Sequence, residues 1–252
     1  MRVWVESDGD ALRIIAGEFR SRKLESPGRG ATTRPIPDRV KESLFNLLRG
    51  HVEGAAVMDL FAGTGSFGLE AISRGAARCL FFERDRGMAR LLERNIVTLK
   101  AQDRAEVITS DALGPAALSR CPRPVDLVFI DPPYDMVRDP KGWLRVRTQI
   151  ERLAPNLSDD GYLMLRTPSP FVHRKDRPPE APGEERHVTI TLDSVDELED
   201  ESIDEQFDKL FGAGEARADL VDVDLAVPGT EGPETRDYGT TAVHLYIRER
   251  EE

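Results

Sequence analysis

Cysteine is nearly missing from this chain. Its 252 residues hold two, Cys79 and Cys121. That is too few for a disulfide framework, and their separation suits neither a metal site nor a redox pair. Cys79 sits in the apolar run CLFF and is expected to be buried filler. Long apolar runs are missing too. No stretch approaches the ~20 residues that cross a bilayer. The N-terminus MRVWVESDGD carries acids where a signal peptide has its apolar core. These absences predict a cytoplasmic protein with no membrane attachment. What remains suits a globular chain, 39% apolar and 32% charged, long enough to bury a full sheet-and-helix core.

The net charge of −11 is unevenly spread. Thirteen acids and two bases stand between Asp193 and Asp224, whereas eight bases and three acids stand between Leu12 and Lys41. A basic arm and an acidic late segment therefore share one chain, and the overall balance describes neither. Residues 1–11 are expected to be a loose leader. LRIIAGEFRSRKL, from Leu12 to Leu24, suggests a small hairpin, and residues 25–37 a Gly, Pro and Thr-rich loop. Asp38 is expected to cap a helix, RVKESLFNLLRG, that Gly50 stops.

From Val57 the chain alternates strand and helix. AVMDLF, CLFFERD, AEVITSD, DLVFIDPPY and YLMLRT are the strands, with GLEAISRGA, MARLLERNIVTLKA and RTQIERLAPNL as helices between them. This rhythm predicts an α/β, doubly wound, mostly parallel sheet with helices on both faces. The pattern breaks between Pro168 and Pro233, an insertion in which HVTITL suggests a strand and DEQFDKLFGAG a short helix. Its low apolar content suggests solvating surface; the alternative is an RNA mimic lying over the basic arm. TTAVHLYIRE is expected to close the sheet. The expected division is an arm over residues 1–50 and an α/β domain over 51–252 that carries the insertion at about 168–233.

The chemistry begins at VMDLFAGTGSFGLE. Gly63, Gly65 and Gly68 satisfy G-x-G-x-x-G, a turn that brings a ligand against backbone at a helix N-terminus. Alone it fits a nicotinamide dinucleotide equally well. Asp59, four residues before Gly63, repels a pyrophosphate but suits a cationic, amino-acid-like ligand such as S-adenosylmethionine. Glu83 ends the second strand, where an acid can take two ribose hydroxyls. Asp111 ends the third strand, where it can accept from an adenine amine or simply cap a helix in the ALGPAAL that follows. Asp85 is expected to be solvated. Asp131-Pro132-Pro133-Tyr134 closes the fourth strand, at the sheet edge where open α/β folds bind ligands. The prolines fix the turn. Asp131 and the Pro132 carbonyl can accept from an exocyclic amine, and Tyr134 offers a face on which a base can stack.

DLFAGTGSFGLE and DPPY resemble motifs I and IV of amino-methyltransferases that act on nucleic-acid bases. The arm narrows this. LRIIAGEFRSRKL followed by TRPIPDRVKESLFNLL resembles the bacterial 16S ribosomal RNA (guanine-N2)-methyltransferase family, with Arg13, Gly17, Arg22, Leu24, Arg34, Pro35, Asp38, Arg39, Lys41, Glu42, Phe45 and Asn46 in the matching places. The likeness covers residues 12–167 and resumes at RDYGTTAVHLY. It implies a Rossmann-like class I methyltransferase with S-adenosylmethionine as cofactor and no metal. Asp59, Phe61, Ala62, Gly63, Gly65, Glu83 and Asp111 would bind that cofactor. The catalytic loop would be Asp131, Pro132, Pro133 and Tyr134. Arg13, Arg20, Arg22, Lys23, Arg34 and Arg39 would hold phosphates of a flipped-out substrate, although each taken singly is as well explained as a solvated surface charge. The partner would be 16S ribosomal RNA or a small-subunit assembly particle, met by a monomer. The sequence departs from the pattern in its leader, in its insertion and at Arg166, where the family often has Glu. The rival readings are a DNA adenine-N6 or cytosine-N4 methyltransferase, a non-catalytic RNA-binding assembly factor and, most remotely, a nicotinamide dehydrogenase.

Overall fold

A computed structural model describes residues 12–27, 36–174 and 220–250. The leader, Arg34, Pro35, HVTITL and DEQFDKLFGAG lie outside the described residues. Leu12 to Leu24 forms the expected hairpin: Arg13 and Lys23 bridge antiparallel, and Leu24 N–H donates to the Leu12 carbonyl at 2.7 Å. Helix α1 spans Asp38–Leu47. Asp38 does not cap it, because Pro37 is the N-cap and the Asp38 carboxylate instead accepts from Arg13 Nε at 2.9 Å.

The alternating core follows as β1 (Ala56–Leu60), α2 (Ser66–Ser73), β2 (Arg78–Phe82), α3 (Arg86–Leu99), β3 (Ala105–Ile108), α4 (Pro115–Arg120) and β4 (Val125–Ile130). After it come α5 (Tyr134–Arg138), α6 (Pro140–Leu153), β5 (Leu157–Pro168), β6 (Val172–Arg174), β7 (Leu220–Asp222), β8 (Thr230–Asp237) and β9 (Thr241–Arg248). α6 starts at Pro140 rather than near Arg147, and α5, which the sequence did not suggest, starts directly at Tyr134. Pro at the first helical position and the Asp139 carboxylate, which accepts from Gly142 N–H at 3.1 Å, set the α6 start. Asp85 is no mere solvated acid either: it caps α3, accepting from Met88 N–H at 2.8 Å.

The strands order as β3-β2-β1-β4-β5-β9-β8, with β1 to β5 parallel and β9 antiparallel to both its neighbours. The right-handed crossovers therefore reverse direction between β1 and β4, which sets the loops after those two strands side by side. β6 and β7 pair as a separate ribbon at the two ends of the late insertion. One apolar cluster, containing Phe81 and Phe129, covers one face of the sheet and takes in arm residues Leu12, Ile14, Phe19 and Leu24; a second, around Met58, Val128 and Ile150, covers the other. Cys79 is fully buried in the first cluster, and burial pushes its thiol up, as expected of filler. Among the described residues no helix is long and apolar enough to cross a membrane.

Candidate functional site

β1 carries Asp59, only 2% exposed, whose carboxylate accepts from Gly68 N–H at 2.9 Å. The chain then turns through Phe61 (φ +63°) and Gly63 (φ +53°) into α2. A Cβ on Gly63 would meet nothing nearer than the Phe61 carbonyl oxygen at 4.0 Å, so backbone conformation selects glycine there and space lies beside it. Gly68 has a different reason. A Cβ there would lie 2.3 Å from the Phe81 ring and 2.6 Å from Cys79 Sγ, so only glycine lets α2 rest on β2. Glu83, just after β2, braces the turn by accepting from Gly63 N–H at 2.9 Å and from Asp85 N–H at 2.8 Å.

β4 delivers Asp131 to the same place. Its N–H donates to the Leu60 carbonyl across the β1–β4 pair at 3.4 Å. Asp131 Oδ1 accepts from Arg166 Nε at 2.7 Å, while Oδ2 has no hydrogen bond among the described residues. Pro132 is buried and Pro133 exposed. Tyr134 donates its hydroxyl to Thr241 Oγ1 at 2.7 Å, and Thr241 donates in turn to the Thr167 carbonyl at 3.1 Å. The Arg166 and Arg138 guanidinium carbons lie 5.4 and 5.8 Å from the Tyr134 ring centroid, so the ring already meets two cations. Burial pushes the Asp59 carboxyl well above the usual carboxylate range, and the Asp131 and Glu83 charges add to this. Two acids thus hold backbone around one glycine turn, Asp59 at Gly68 and Glu83 at Gly63, with the Asp131 charge close by. Among the described residues no three His, Cys, Asp or Glu side chains gather as a metal cage.

A family model described as conserved hypothetical protein 95 matches residues 12–170. Ribosomal RNA small subunit methyltransferase D of Escherichia coli K12 is 43% identical over 160 residues, covering 62% of this chain and 72% of the relative. The chain belongs to this methyltransferase family. The Haemophilus influenzae protein of the same name is 42% identical over 127 residues, 49% of this chain and 64% of its own. A solved Escherichia coli structure titled as a methyltransferase candidate, yhhF, is 28% identical and superposes with a TM-score of 0.63 over 95% of this chain and 98% of that one. The Rossmann-like sheet is therefore the family's fold.

Within this family member the sheet gathers Asp59, Phe61, Ala62, Gly63, Gly65 and Glu83 beside the Asp131–Tyr134 loop. Asp111 does not cap the helix that follows, because Gly114 is the N-cap of α4; its carboxylate instead accepts from Leu113 N–H and from Arg145, both at 3.0 Å. Of the arm bases, Arg13 is ion-paired with Asp38, Arg22 reaches the Thr98 carbonyl at 3.4 Å, and Arg20, Lys23 and Arg39 are exposed. The sequence missed Arg166, Thr241 and a buried clamp. In the clamp Glu70 accepts from Ile15 N–H (2.8 Å), Ala16 N–H (3.0 Å) and Arg74 Nε (2.7 Å). Lys41 Nζ lies 3.7 Å from Glu70 and donates to the Arg13 carbonyl (2.8 Å) and to Ser66 Oγ (3.2 Å). Burial pulls the Lys41 ammonium down, and Glu70 opposes this. The clamp ties the basic arm to the first residue of α2, next to the glycine turn.

Proposed function

We propose that this protein transfers a methyl group from S-adenosylmethionine to the exocyclic N2 of a guanine in 16S ribosomal RNA. The observation that carries this is that β4 delivers Asp131 to the end of β1, its N–H donating to the Leu60 carbonyl, with β1 and β4 adjacent at the point where the sheet reverses. The donor set fits the cofactor: Asp59 and Glu83 are acids around a glycine turn with space beside Gly63. Each Glu83 oxygen keeps a lone pair for ribose hydroxyls beyond the backbone N–H it accepts. When bound, the cofactor supplies an electrophilic methyl on a sulfonium.

The chain's own residues do the rest. Asp131 Oδ2 and the Pro132 carbonyl accept from the guanine amine and turn its lone pair toward the methyl. The nitrogen would gain the methyl carbon as that carbon's bond to sulfur breaks, leaving a neutral thioether, and would lose one proton to solvent. No covalent enzyme intermediate is needed, so positioning supplies most of the acceleration. Tyr134 borders the flipped base, with its ring shared by Arg166 and Arg138. Arm bases outside the described clamp contacts hold phosphates, and binding is therefore salt-dependent. The protein works as a monomer in the cytoplasm, with residues 1–50 as its RNA-holding arm and 51–252 as its methyltransferase domain. DNA amino-methyltransferases share the Asp-Pro-Pro-Tyr loop, but the Escherichia coli and Haemophilus influenzae relatives are named for ribosomal RNA, which favours RNA.

The test offers a labelled methyl donor with unmodified small subunits, naked 16S RNA and duplex DNA. Label entering ribosomal RNA and not DNA is expected. Label in DNA, or in none of the three, overturns the proposal.

A further inference from the structure

We propose that Arg166 is a positioning residue for methyl transfer, holding Asp131 so that one carboxylate oxygen stays aimed at the substrate amine. The inference rests on the reading of Asp131 as the amine's acceptor. Two prolines fix the backbone after Asp131, but they leave its side-chain torsions free. Arg166 removes that freedom. Its Nε meets Oδ1 at 2.7 Å and leaves Oδ2 without a partner among the described residues. The pair is mostly buried, with 11% of the Arg166 side chain and 20% of the Asp131 side chain exposed, so the contact is poorly screened.

Arg166 is itself held firmly. β5 lies between β4 and β9, and the guanidinium rests by the Tyr134 ring, which Thr241 anchors. The groups facing Asp131 are Arg166 from β5, Asp59 from β1 and Tyr134 from α5, with Arg138 beyond the Tyr134 ring. Arg166 is the cation that directly contacts the carboxylate, and it offsets the acid on β1. Burial opposes the Arg166 charge, but Asp131 and Tyr134 outweigh it.

The test compares wild type, Arg166→Met and Arg166→Lys on unmodified small subunits. Arg166→Met keeps the apolar stem and is expected to lower kcat on the order of 10²-fold, the scale of a misplaced catalytic group. Calorimetric affinity for S-adenosylmethionine should stay within threefold of wild type. Arg166→Lys should recover at least tenfold over Arg166→Met. A purely structural role predicts the opposite pattern, a loss of cofactor affinity with no recovery by Arg166→Lys, and that result overturns the inference. So does an Arg166→Met kcat within threefold of wild type. Crystal structures of wild type and Arg166→Met read the pair without turnover: an Asp131 carboxylate held in the same orientation in both sinks the inference even if wild type modifies no guanine. An inactive wild type whose Asp131 carboxylate turns in Arg166→Met leaves the pairing standing and refutes only the proposed function.

Discussion

Replacing Glu70 with Gln tests whether the buried clamp holds the arm to the cofactor-side helix. Glu70 and Lys41 side chains are both 0% exposed. The carboxylate takes two backbone N–H donors from the arm and one from Arg74. An amide of the same shape loses the charge and turns an NH2 toward one of those donors. Lys41 then stays buried without its counter-charge. Breaking a buried pair by removing one partner costs about 3–5 kcal/mol, and a fold of this kind has roughly 5–15 kcal/mol to lose. Urea unfolding of wild type and Glu70→Gln at neutral pH should show a loss in that range. A Lys41→Met partner substitution removes the stranded ammonium. The double variant should therefore be less destabilised than the sum of the singles, by about 0.5–3 kcal/mol. A Glu70→Gln cost below about 1 kcal/mol, or strict additivity with Lys41→Met, would show that the clamp holds nothing.

Asp131→Ala should slow transfer on the order of 10²–10³-fold while calorimetry finds S-adenosylmethionine binding intact; normal turnover would remove the residue from the chemistry. Gly68→Val should destabilise by at least about 1–3 kcal/mol, because its side chain starts inside contact distance of Phe81 and Cys79, and an unchanged melting temperature would contradict the packing. His244, buried between Thr167 and Thr235, is pushed by burial from 6.5 down to about 4. The unfolded chain therefore binds its proton first as pH falls. The stability this residue contributes is complete above pH 6.5 and is lost between pH 6.5 and 4, about 3 kcal/mol in all. Denaturant titrations should show that slope in wild type and a flatter one in His244→Gln; parallel slopes would refute it.

The sheet was legible because strand and helix periods alternate without interruption from Val57, and the glycine turn and the Asp-Pro-Pro-Tyr loop are contiguous motifs at strand ends. Their adjacency followed from topology alone. Asp38 misled because an acid beside a helix start can serve either the helix or a neighbouring cation, and Arg13, distant in sequence, won it. Arg166, Thr241 and the Glu70–Lys41 clamp were hidden for the same reason. Each acts through a partner at least 25 residues away, or more than a hundred in the Tyr134–Thr241 case. β8 was missed because TEGPETRD is polar and contains Gly and Pro, and its pairing with β9 is what makes it a strand.

The most direct measurement is nucleoside mass spectrometry of 16S RNA taken from unmodified small subunits after incubation with the protein and S-adenosylmethionine. The account predicts N2-methylguanosine from wild type and none above background from Asp131→Ala. A methylated adenosine or cytidine in its place, or equal yields from both proteins, would contradict it.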